Sequence, residues 1–238
     1  MDNNRFSVRQ NEGAYAASQT GKATGISAEA TKVLRNTYTL LAMTLLFSAA
    51  MAGVSMAVGL GRGAGLICML ASLALIWFVL PRTANSSAGI GVVFAFTGLL
   101  GLSLGPTLSY YLDFANGGQI VMQAMGGTAL VFLTLSGYVL TTRKDFSFMR
   151  GMLVAGMAVV IIGMIGALVA SMFGVDMSAF SLALSGAIVL LMSGFILYDT
   201  SRIVNGGETN YIMATTGLYL SIYNLFVSLL HILGATSD

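Results

Sequence analysis

Charge is what this chain lacks most. Of its 238 residues, 8% are Asp, Glu, Lys or Arg and 56% are hydrophobic. A soluble domain carries about 25% charged residues, so this chain has too few to cover a folded surface in water. The class that remains is an integral membrane protein. Cysteine is nearly absent as well: Cys68 stands alone inside an apolar run, which excludes a disulfide framework and a thiolate metal site. With one histidine, His231, on a different segment, no ligand cluster for a metal forms in the sequence. Gly59, Gly61, Gly63 and Gly65 alternate, a spacing that fits neither a dinucleotide fingerprint nor a phosphate loop. No metal, cofactor or nucleic-acid partner is therefore expected, and no catalytic constellation stands out. An intramembrane serine hydrolase would need a serine from another helix to meet His231, together with oxyanion donors.

What the chain has instead is seven apolar runs, at about 37–58, 63–80, 88–112, 118–140, 151–173, 178–199 and 210–234. A helix needs roughly 20 apolar residues, within about 17–25, to cross the hydrocarbon core. The runs are continuously apolar and not alternating, which excludes a spanning barrel. The expected fold is all-α: a polytopic membrane protein of seven transmembrane helices. Residues 1–31 are polar, have no apolar h-region and read as a flexible tail ahead of a membrane domain over 32–238.

Orientation follows from the basic residues. Arg5, Arg9, Lys22, Lys32, Arg35, Arg82, Arg143, Lys144, Arg150 and Arg202 fall on one side, and Arg62 alone on the other. The expectation is a cytoplasmic N-terminus and an external C-terminus. Small-residue pairs recur within the runs: Ala49 with Gly53, Gly101 with Gly105, and Gly163 with Ala167. Such pairs let helix backbones approach closely in lipid. Gly105-Pro106 is expected to kink the third span, because proline removes a backbone donor.

The last apolar run carries a polar stripe. Asn210, Gly217, Ser221, Asn224, Ser228 and His231, with Ala214 filling one gap, recur at steps of four and three, which is one helix face. Just before it stands Asp199. Counted from Ser178 at about 1.5 Å per residue, it lies roughly 30 Å along the sixth run, near the cytoplasmic boundary. Two readings stay open for it: an ion pair with Arg202 one turn on, or a gating or proton-sensing carboxylate, since ionisable groups at membrane depth are costly and usually functional. His231 is likewise either a bundle hydrogen-bonding group or a titrating one.

Several stretches resemble the bacterial Bax-inhibitor family, whose proteins carry the transmembrane Bax inhibitor motif. They are Lys32-Val-Leu-Arg-Asn-Thr-Tyr38, Phe94-Ala-Phe-Thr-Gly98, Leu104-Gly-Pro106, Gly126-Gly-Thr-Ala-Leu-Val-Phe132, Tyr138-Val-Leu-Thr-Thr-Arg-Lys-Asp145 and Gly206-Gly-Glu-Thr-Asn-Tyr-Ile212. The resemblance runs from Lys32 to Gly234. It implies a multi-pass protein of the bacterial inner membrane in which the seventh helix is surrounded by the other six. It also implies a protein that binds and modulates a membrane-bound AAA+ protease of the FtsH type and is itself a substrate. The alternative is a pH-sensitive calcium or proton leak. Calcium-leak members of the family use an aspartate on each of the last two helices as a latch. Asp199 matches the first position, whereas the second, within Leu218-Tyr-Leu-Ser-Ile222, is Ser221. The implied latch is incomplete, which leaves Asp199, Arg202 and Ser221 as candidate gating residues and membrane lipid and the protease as the expected partners.

Overall fold

The computed structural model describes residues 26–236. Its helices are α1 (Ala28–Ala57), α2 (Arg62–Thr83), α3 (Ala88–Leu112), α4 (Gly117–Thr142), α5 (Arg150–Met172), α6 (Ser178–Val204) and α7 (Tyr211–Ala235). All seven are long and apolar enough to cross a membrane. α1 starts at Ala28, a turn before Lys32, because the Ser27 hydroxyl oxygen accepts from the Ala30 N–H and closes the first turn. Most of the expected tail, residues 1–25, lies outside the described residues.

α7 is the central helix. Leu218, Tyr219, Leu225 and Leu230 are almost wholly buried there. Its close shell is four helices, α1, α3, α4 and α6; α2 stands outside on α3, and α5 outside on α6. The expectation of six surrounding helices is corrected to that extent. The inner four suffice because α7 offers alternating faces to them: Ala214, Leu218 and Ile222 join Leu41 and Phe96, whereas Leu225 joins Met192 and Ile196. α5 is largely exposed along its length, as a helix facing lipid must be.

The prolines leave distinct marks. In α2 the turn before Pro81 is π-helical, Leu75–Val79, where the ladder resets around a residue without a donor. In α3 the helix runs on through Pro106. Proline at 106 leaves the Leu102 carbonyl without its helical donor. The Ser55 hydroxyl of α1 donates to that carbonyl at 2.8 Å. Gly105 makes the contact possible, since a Cβ there would collide with the Ser55 side chain, and one at Gly101 would collide with the Ser48 carbonyl. The Gly105-Pro106 pair is thus the joint between α1 and α3. Ala49 and Gly53 behave differently: Ala49 is exposed, and a Cβ at Gly53 would meet nothing within 4 Å.

Candidate functional site

The site is built where α6 and α7 run antiparallel. A Cβ on Gly217 would stand 3.0 Å from Asp199 Oδ2, so the missing side chain leaves room for the carboxylate against α7. Further along the same pair, Ser185 Oγ and His231 Nδ1 are 2.8 Å apart. From Asp199 to Ser185 and from Gly217 to His231 are equal steps along the chain, so the two helices keep register between these contacts. Ser221, a turn beyond Gly217, therefore lies about 6 Å away along the axis from the level of Asp199. The two latch positions that the resemblance implies are offset by one turn.

Asp199 and Ser221 nonetheless share a cavity of about 570 Å³. Gly217, Asn224 and Tyr198 line it with them, and Arg150 at the start of α5 and Arg202 at the end of α6 stand at its side. Ser221 spends its hydroxyl proton on the Gly217 carbonyl at 3.1 Å, and the Asn224 amide donates to the Leu220 carbonyl at 2.8 Å. One carboxylate with neutral oxygens around it and two guanidinium groups at its side offers a place for a proton to be held. A proton shared between two carboxylates has no second partner at position 221.

Among the described residues Arg202 forms its close ion pair with Glu208 and none with Asp199, although it stands near enough to act on Asp199 through space. Its guanidinium pairs with Glu208 at 3.0 Å, donates to the Gly207 carbonyl and lies over the Tyr198 ring. Chain geometry explains the choice. The loop turns at Gly206, whose φ of 75° suits glycine, and the N–H groups of Gly207 and Glu208 return to the Arg202 carbonyl. That folds Glu208 back onto the arginine. Glu208 also accepts from the Asn210 N–H at 3.0 Å.

The polar stripe divides into separate roles. Asn210 is the N-cap of α7: its side-chain oxygen accepts from the N–H groups of Ile212 and Met213. Its amide donates to the Ala84 carbonyl and to Asn85, tying the α6–α7 loop to the α2–α3 loop. Gly217, Ser221 and Asn224 face the cavity, Ser228 is buried, and His231 meets Ser185. Sequence reasoning left open whether a serine would meet His231; Ser185 does. Ser185 also donates to the Ser181 carbonyl at 2.9 Å. The Ser185–His231 contact ties α6 to α7, with the donor set by the histidine tautomer. Ser185 and Glu208 were not singled out by the sequence. Only the α6–α7 register identifies the first, and only the loop fold identifies the second.

Among the described residues no group of three or more His, Cys, Asp or Glu side chains stands close enough to hold a metal ion.

Comparisons with known proteins agree with this architecture. The family model "Inhibitor of apoptosis-promoting Bax1" matches residues 30–238. A protein of Escherichia coli K12 named modulator of FtsH protease YccA is 53% identical over 206 residues, which is 87% of this chain and 91% of that protein. An uncharacterised membrane protein of Vibrio cholerae is 50% identical over 210 residues, 88% of this chain and 92% of its own. A Pseudomonas aeruginosa protein is 46% identical over 216 residues, 91% and 95% of the two chains. With seven spanning helices and a family model that covers nearly all of them, this chain belongs to the Bax inhibitor family of multi-pass membrane proteins.

Proposed function

We propose that this protein acts in the bacterial inner membrane by binding and modulating a membrane-bound AAA+ protease of the FtsH type. The observation that carries the reading is the 53% identity to a protein named as such a modulator, sustained over nine-tenths of that protein's length. The fold supports it: a bundle whose helices are joined by buried hydrogen bonds such as Ser55 to Leu102 and Ser48 to Tyr219 resists extraction. A chain that resists extraction occupies an ATP-driven unfoldase for longer than an ordinary substrate does. The polar N-terminal segment is the part such a motor engages, with the N-terminus on the cytoplasmic side, and the chain is itself slowly degraded.

The test reconstitutes the full chain with an FtsH-type protease and a labelled membrane substrate. Addition of the chain slows cleavage of the substrate, and removal of residues 1–25 relieves that inhibition and lengthens the chain's own lifetime. Unchanged substrate cleavage at saturating chain would sink the proposal. The same vesicles examine the rival ion-leak reading, for which Asp199 in its cavity is the supporting observation. Calcium entry that disappears in Asp199→Asn, without any effect on the protease, would replace modulation by conduction.

A further inference from the structure

A second cavity lies on the other side of α7 and plays no part in the Asp199 site. It encloses about 530 Å³ between α1 and α4, with α7 as its floor. α1 and α4 are not packed along their lengths. At one end Tyr38 of α1 meets Phe132 of α4, ring centroids 5.9 Å apart. At the other, Leu104 and Leu108 of α3 close the gap. The result is a window through the bundle wall. Its sides carry Ala49 and Gly53 on α1 and Met125 and Ala129 on α4; its floor is Tyr219 and Tyr223. The two floor hydroxyls are already engaged, with Ser48 at 2.6 Å and Ser103 at 3.2 Å. What remains exposed in the window is hydrocarbon and ring surface.

We propose that this window is a binding site for a membrane phospholipid, with one acyl chain seated on α7 and the phosphate at Arg35. Three observations select this occupant. The first is size. One turn of a helix about 10 Å across and 5.4 Å in pitch fills roughly 400 Å³. A cavity of about 530 Å³ holds little more than one such turn, far less than a crossing helix needs, whereas a flexible chain one methylene wide threads it. The second is the lining: a site that is apolar and open to the membrane side takes up hydrocarbon and excludes water.

The third is charge complementarity along one helix face. Arg35, Tyr38, Ala42, Leu45, Ala49 and Ala52 recur at steps of three and four on α1, so the face that lines the window leads back to Arg35, which is exposed. From Arg35 to Ala49 is roughly 21 Å along the axis. That separation matches a headgroup above half of a hydrocarbon core about 30 Å thick. A cation at headgroup level and an apolar slot at mid-membrane depth, on one stripe, fit a phosphodiester with its acyl chain. The site also explains why Ala49 and Gly53, a small-residue pair of the kind that packs helices, have no helix packed on them.

The experiment uses the full chain reconstituted in phosphatidylethanolamine and phosphatidylglycerol vesicles that contain a phospholipid with a diazirine in mid-acyl chain. After photolysis, adducts are mapped by peptide mass spectrometry. Adducts concentrate on Met125, Tyr223 and Phe226, above Leu190 and Ile162 on faces that simply meet lipid. Ala49→Trp lowers the window adducts about tenfold, whereas Leu46→Trp on the outward face leaves them unchanged. Arg35→Gln lowers them about threefold, the size of one exposed charge contact. Gly53→Leu fills the same space from a second position, so the result does not depend on how well one variant folds. Uniform labelling of all lipid-facing helices overturns the proposal. So does window labelling that survives both Ala49→Trp and Gly53→Leu.

Discussion

Asp199 lies directly against Gly217: the carboxylate occupies the space in which a side chain at 217 would stand. Replacing the glycine therefore acts on the acid. Gly217→Ala places a methyl 3.0 Å from Oδ2, and the helix-propensity gain of about 1 kcal/mol offsets the crowding, so stability changes little. Gly217→Leu has no such compensation. It is expected to lower the unfolding free energy in detergent by about 1–3 kcal/mol, as overpacking does, and to displace the carboxylate from its cavity. Equal stability of the two variants would show that the 217–199 contact is loose.

The Ser55–Leu102 bond is predicted to depend on Pro106. Ser55→Ala leaves a carbonyl unpaired and costs about 1–2 kcal/mol. Pro106→Ala restores a backbone donor four residues from Leu102, so in that background Ser55→Ala costs much less. A double-mutant cycle measured by thermal unfolding in micelles reports the difference directly. Additive effects would mean that the serine hydroxyl does not stand in for the missing N–H.

Thr37 presents the opposite case. Its side chain is fully buried and its hydroxyl has no hydrogen-bond partner among the described residues, while its backbone carbonyl accepts from Thr215. Thr37→Val keeps the shape and removes an unsatisfied group. The expected outcome is unchanged or higher stability, by up to about 1–2 kcal/mol. A clear loss on denaturation would reveal a partner that this arrangement does not include.

The start of α6 is predicted to be sensitive to acid. Met177 occupies the cap position without a capping bond, and Asp176 supplies one, accepting from the Ser178 N–H at 2.9 Å. That hydrogen bond holds the Asp176 carboxyl below its ordinary value of 3.8. A depressed folded-state pKa means the stabilisation is present above 3.8 and is lost as pH falls through the lower folded value. Protection of the Ser178 to Ser181 amides, relative to their intrinsic exchange rates, falls in that acid window, and in Asp176→Ala it is low at neutral pH as well. Protection that stays constant with pH would count against the cap.

Composition and run length were enough to identify seven membrane-spanning helices, because each helix must satisfy its own backbone and present apolar side chains over a fixed thickness. Those are constraints on consecutive residues. The stripe from Asn210 to His231 was legible for the same reason: periodicity is local. Pairing is not. Arg202 and Glu208 meet because of a left-handed turn at Gly206 between them, which overrides the one-turn spacing that pointed Arg202 at Asp199. Ser185 reaches His231, and Asp199 reaches Gly217, because two helices pack in one register out of several that their sequences permit. Gly105 and Gly53 read alike as small residues in apolar runs. Only the packing of whole helices makes one the α1–α3 joint and leaves the other at an open window, since contacts between distant segments are chosen by the fit of surfaces and not by the order of residues.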